Sequence, residues 1–204
     1  MSLLLLPAGQ GITESPALGR LSPDSFFRQL VKLNHLKGIS HFLFLPGMLF
    51  NDEEQWWGSK SRRPHPHEGI DLYLMQDMEM EVKNILPQML IPAILSGQLI
   101  HFHRDFLGET LYIRHPEIRQ GNTVLHTIYG HVQSSADLGC PAVINKGQIV
   151  GRISSPPDTT PVPAHLHISC AWIQEDQQVE GLNWKNMTGN ANVYFIDPLP
   201  FLMQ

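Results

Sequence analysis

Two short histidine motifs hold the residues best suited to chemistry in this chain. HEGID places His67 four residues before Asp71, and HLH places His165 two residues before His167. A catalytic zinc takes three protein ligands from the His/Asp/Glu set and leaves one position open, and pairs distant in the chain can supply them. Set on β-strands, both the two-residue and the four-residue step bring the polar groups of a motif to one side of a sheet. On a helix the two histidines of HLH would stand about 200° apart. Gly69, inside HEGID, permits a bulge or a close approach of another backbone. A lone histidine is usually satisfied by ordinary hydrogen bonds; it is the joint pattern that points to a metal.

The surrounding segments must position these groups, and they read as strands. AHLHISCAW turns Leu166, Ile168 and Cys170 toward a core, and LYL follows Asp71. TVLHTIYGHVQ alternates apolar and polar residues and predicts a strand with Tyr129 and His131 on one face. Many short strand-like runs with Gly/Pro punctuation predict a mostly β, antiparallel fold, a sandwich or half-barrel. The one clear helix spans 22–37, with Ser22 as cap, Pro23 at the first position, a stripe of Phe27, Leu30, Val31 and Leu33, and Gly38 as stop.

In order along the chain, HEGID, YGHV and HLHIS resemble the H-x-x-x-D, Tyr-x-His-Leu-like and H-x-H motifs of the lysostaphin/LytM-type zinc endopeptidases, which cut peptide bridges in bacterial cell walls. CPAVINKGQIVGRIS is similar to the strand-turn-strand that precedes H-x-H in that family. IPAILSGQLIHFHRDFLGETLYIRH is similar to its earlier hairpin, and FIDPLPFL to its closing segment. The resemblance covers roughly residues 60 to 202. It implies a fold of the duplicated hybrid motif type, one zinc per chain held by His67, Asp71 and His167, and a peptidoglycan or peptide substrate. It further implies that His165 and His131 face the open position. His165 would take the proton of the attacking water and His131 would stabilise or protonate the tetrahedral intermediate, or the two roles are exchanged. Tyr129 is a candidate substrate-binding donor to the oxyanion, and equally a core or strand-pairing tyrosine.

The chain also departs from the family. Its loop before HLH is ISSPPDTTPVPA, with four prolines and no glycine between Ser154 and Ala164, where the family has a glycine-rich loop. Proline removes backbone donors, so substrate contacts made there would change. Ser169 stands where the family commonly has a glutamate, which affects support of that strand. The stretch from Leu72 to Leu90 is longer than the family's connection. Trp56 and Trp57 lie close to the first motif and either line the cleft or cover the core.

Other histidines draw weaker expectations. His65 sits in a proline-broken segment, and His101 and His103 share a strand face with no third ligand in view, so a solvated face is preferred there. His115 and His126 flank probable strands. Glu68 should point away from His67, and the helical H-E-x-x-H motif that would make it a base is absent.

With 204 residues and 42% hydrophobic content, one full core is expected. The predicted layout is an N-terminal extension with one helix at 1–45 and a zinc-peptidase-like β domain at 46–204. A net charge of −5 with only a small cluster of Lys60, Arg62 and Arg63 argues against nucleic acid as partner. Cys140 and Cys170 lack C-x-x-C spacing and are expected as free thiols. MSLLLLPAGQG has no basic segment before its leucines and is stopped by Pro7, so it is not expected to act as a signal peptide. No apolar run approaches the ~20 residues of a transmembrane helix. The family's substrate lies outside the cytoplasmic membrane, so the chain is exported by another route or acts on something else. Two rival functions stand beside this one: a recognition module on the same fold that binds wall peptides without cutting them, and another zinc hydrolase such as a carboxypeptidase acting on wall precursors, a class that uses a longer His-to-Asp spacing and a glutamate base, neither of which this sequence has.

Overall fold

A computed structural model describes residues 11–59 and 61–204; the N-terminal leucine run and Lys60 lie outside them. The strands are β1 (Thr13–Glu14), β2 (Ile39–Phe44), β3 (Ile70–Leu72), β4 (Leu74–Asp77), β5 (Val82–Asn84), β6 (Leu90–Pro92), β7 (Gly97–Arg104), β8 (Glu109–Gln120), β9 (Thr123–Ser134), β10 (Ala142–Ile144), β11 (Ile149–Ile153), β12 (Leu166–Gln174) and β13 (Val193–Ile196). Helices α1 (Phe26–Leu33), α2 (Trp184–Met187) and α3 (Leu199–Leu202) are short. The fold is mostly β, and every strand pairing in it is antiparallel.

The main sheet is built on the β8–β9 hairpin. Its two-residue loop, Gly121–Asn122, sits between the paired ends Gln120 and Thr123, and Gly121 takes the φ of +58° that such a tight turn favours. From β8 the sheet runs to β7 and β10. On its other edge β9 divides its pairing: residues up to Gly130 pair with β12, and those from Val132 on pair with β11, which leads to β6. β12 continues to β3 and β13. The sheet is buried on both faces. Tyr129, Leu166 and Ile168 join the larger core, while Tyr112, Ile128, Ala171 and Ile173 form a smaller one on the opposite face.

A second sheet, β1-β2-β4-β5, joins the N-terminal segment to the long stretch after Leu72. Each lends strands to the other, and Phe26, Phe27, Leu30, Phe42 and Phe44 bury in the same core as Ile70, Leu72 and Leu74. At about 1.5–3 kcal/mol for each fully buried large apolar side chain, those five residues tie the segment firmly to the rest.

The helix differs from expectation. It starts at Phe26 with Ser25 as N-cap and ends at Leu33, while Ser22 and Pro23 lie in a turn closed by a hydrogen bond from Ser25 N to Ser22 O. Cys140 is exposed and Cys170 buried, both as free thiols.

Candidate metal centre

Asp71 and His167 are direct cross-strand partners between β3 and β12, so their side chains share a face and stand 2.8 Å apart, Oδ1 to Nδ1. His67 is not on a strand. It lies in the turn before β3, fixed by hydrogen bonds from Asn51 N to its carbonyl and from its own N–H to Asp52 O. Its Nε2 stands 3.2 Å from His167 Nδ1 and 3.3 Å from Asp71 Oδ1. Gly69 makes this convergence possible, because a Cβ there would come within 2.3 Å of Ile168 O and 2.6 Å of Ser169 Oγ.

These three donor atoms fit a zinc. Ligand atoms about 2.0–2.1 Å from a tetrahedral ion lie about 3.3 Å from one another, close to the separations found. Each ligand's remaining polar atom is already engaged. His67 Nδ1–H donates to Leu49 O at 3.0 Å, His167 Nε2 pairs with Ser169 Oγ at 2.8 Å, and Asp71 Oδ2 accepts from Trp56 Nε1 at 2.7 Å and Arg63 at 3.4 Å. Such partners fix ring orientation and leave the inward atoms free to ligate. Ser169 thus supports the histidine of its own strand where a glutamate was expected to be missed. Among the described residues, His67, Asp71 and His167 are the one grouping of His, Cys, Asp and Glu with this convergence.

All three are buried. Burial would raise the Asp71 carboxyl, but His67 and His165 beside it and the hydrogen bonds of His167 and His67 hold it well below the usual carboxylate range.

His165 and His131 flank this cluster. His165 donates from Nδ1 to Pro163 O at 2.8 Å and brings Nε2 to 3.6 Å from Asp71 Oδ1. The proline-rich loop therefore acts here through a carbonyl, which proline retains. Burial pulls the His165 imidazole down to about 4, against the opposing pull of Asp71 and with help from His131 and His167. The His131 ring lies 4.8 Å from that of His165, centroid to centroid.

His131 reaches the site by a route the alternation of its strand does not give. Between the pairs Leu111–Tyr129 and Glu109–Val132, two residues of β9 oppose one of β8, a β-bulge at Gly130–His131, and His131 has a φ of +63°. The bulge turns Gly130 and His131 to the same face and leaves Tyr129 on the other. Tyr129 is accordingly fully buried in the larger core, its hydroxyl accepting from Ile94 N at 2.8 Å. The expectation that Tyr129 and His131 share a face is corrected by this bulge, and with it the candidate role of Tyr129 at an oxyanion.

The cleft, about 140 Å³, is lined by Asp71, His131, His165 and His167 together with Trp57, Trp184, Phe106, Arg63 and Glu68. Glu68 therefore faces the cleft, because strand alternation begins only at Ile70. Trp57 lies against His165 with Arg63 over its ring, and Trp184 meets His167 edge-on. Trp56 is in the core and Trp57 in the wall, so both readings of that pair apply, one to each. A larger cavity of about 720 Å³ between residues 34–39 and 81–89 shares no lining residue with the cleft and holds none of the clustered ligands.

The other histidines line neither the cleft nor the ligand cluster. His115 bonds Ser96 O and Thr127, and His126 bonds Val124 O. His101 and His103 stack beside Tyr112, and His65 is exposed. Asp105, Phe106 and Trp184 were not anticipated: they come from a turn and from a short helix far along the chain, with no spacing that ties them to either motif.

No family model matches the sequence, and no curated protein matches it. Among solved structures, the chain is similar to M23-type peptidase domains. The catalytic domain of the antimicrobial peptidase lysostaphin from Staphylococcus simulans matches at 16% identity and a TM-score of 0.47, over 78% of this chain and 91% of that one. A variant of the catalytic domain of the prophage-encoded M23 protein EnpA from Enterococcus faecalis matches at 17% identity and a TM-score of 0.42, over 76% and 92%. LytU matches at 19% identity and a TM-score of 0.45, over 78% and 86%.

Proposed function

We propose that this protein is a zinc-dependent endopeptidase that hydrolyses peptide bonds in peptidoglycan cross-links. The observation that carries the reading is the convergence of His67 Nε2, Asp71 Oδ1 and His167 Nδ1 within 2.8–3.3 Å of one another, beside two histidines not needed as ligands. Zinc bound there would polarise the scissile carbonyl and make water acidic enough to attack near neutral pH.

The chain's own groups divide the remaining work. With Nδ1–H committed to Pro163 O, His165 presents Nε2 as an acceptor and takes the proton of the attacking water. His131, its ring 4.8 Å from that of His165, donates from Nε2 in its doubly protonated form to the developing oxyanion or to the amine that leaves. Trp57, Phe106 and Trp184 line the cleft beside these groups and offer apolar walls against which a peptide can lie.

Digestion of purified wall material, with the released peptides identified by mass spectrometry, tests this reading. Internal cleavage that stops when zinc is chelated supports it. Binding without cleavage would replace it by the recognition module, and release of terminal residues alone by the carboxypeptidase.

A further inference from the structure

The turn between β7 and β8 places a buried carboxylate directly behind His131. Asp105 Oδ2 accepts from His131 N at 3.0 Å, from His131 Nδ1 at 3.2 Å and from Thr110 Oγ1 at 2.8 Å, and Oδ1 accepts from Leu107 N at 2.8 Å. Its side chain is 2% exposed and does not line the cleft.

The direction of each bond is fixed by chemistry. An ionised carboxylate only accepts, so the imidazole nitrogen that faces it carries the proton. An indole nitrogen only donates, so Trp184 Nε1 gives its hydrogen to Thr110 Oγ1 at 2.9 Å, and the Thr110 hydroxyl must pass its own to Asp105. Two arms therefore end on one carboxylate: Trp184 through Thr110, and His131 directly. The same carboxylate holds the backbone N–H of His131, whose left-handed φ is uncommon for a residue with a side chain. Asp105 thereby pins the bulge that turns His131 to the cleft.

We propose that Asp105 is a positioning residue that fixes His131 as the tautomer protonated on Nδ1, leaving Nε2 as the working nitrogen, and that it holds Trp184 on the same anchor. The effect on rate rests on the peptidase reading; the tautomer does not.

The test has two arms. In the first, nitrogen NMR of the labelled wild-type protein, above the imidazole titration range, identifies the protonated ring nitrogen of His131, with His131→Gln providing the assignment. Protonation on Nδ1 is expected, and protonation on Nε2 overturns the proposal whether or not any variant folds. In the second arm, Asp105→Ala leaves no acceptor behind His131 Nδ1. Its His131 signal should shift away from the Nδ1–H tautomer, and kcat should fall roughly 10–100-fold while KM and zinc content hold. An unchanged tautomer with unchanged kcat overturns the proposal. If the wild-type protein cuts nothing, the peptidase reading fails, and the tautomer still decides the role of Asp105.

Discussion

The indole nitrogen of Trp56 donates a 2.7 Å hydrogen bond to Oδ2 of Asp71, in a pocket where both side chains are almost wholly buried. Trp56 lies outside both histidine motifs, yet it decides which oxygen of Asp71 faces His67 and His167. Tyr73 stacks on its ring at 4.9 Å and holds it there.

Replacing Trp56 by Phe keeps an aromatic ring against Tyr73 and removes the donor. Zinc affinity should then fall roughly 10–100-fold, the range for lost partners behind a ligand. Competition with a chromophoric chelator measures it. An affinity equal to wild type would mean that Arg63 alone orients the carboxylate.

Gly69→Ala should be severe for a residue so small. The added methyl would lie 2.3 Å from Ile168 O, so β3 must move off β12 and separate Asp71 from His167. A stability loss of about 1–3 kcal/mol is expected for such overpacking, with weaker zinc uptake, read by thermal melting and metal analysis. A variant that melts and binds zinc like wild type would contradict the close approach.

The shared face of the HLH histidines was legible in the sequence because strand alternation is a local rule, whereas His67 reaches Asp71 from a turn and not by that alternation. His167 sits on β12, which begins just after His165, and Leu166, Ile168 and Cys170 bury as its alternation requires. The rule failed where the backbone leaves regular geometry. The bulge at Gly130–His131 reversed the relation of Tyr129 to His131, and the turn before β3 brought Glu68 to the cleft. Asp105 and Trp184 were invisible because their contacts depend on tertiary packing across 26 and 74 residues, to His131 and Thr110. The pairing of the N-terminal segment with the long stretch after Leu72 was hidden for the same reason.

His126 gives the fold an acid sensitivity separate from the metal centre. Burial pulls its imidazole down to about 4, with His115 and Arg114 adding to the effect and a hydrogen bond to Val124 O opposing it. Unfolded, it titrates near 6.5. Between those values the unfolded chain binds a proton that the folded chain refuses, so stability is full above about 6.5 and falls as pH drops toward 4, by on the order of 2–3 kcal/mol. In the presence of a chelator, the melting temperature of His126→Asn should decline less over that window than that of wild type. Parallel declines would show that His126 does not carry the effect.

The proposed peptidase action rests on a zinc held by the cluster and on two histidines that do not hold it. Its most direct test is the rate of peptide release from purified peptidoglycan by the zinc-loaded protein and by His165→Ala, His131→Ala and His67→Ala, with metal content determined on the same samples. His67→Ala is expected to lose both zinc and cleavage, while His165→Ala and His131→Ala keep one zinc per chain and cut roughly 10²–10⁴-fold more slowly. Near wild-type rates from both zinc-bearing variants, or a wild-type protein that binds the wall without releasing peptides, would contradict it.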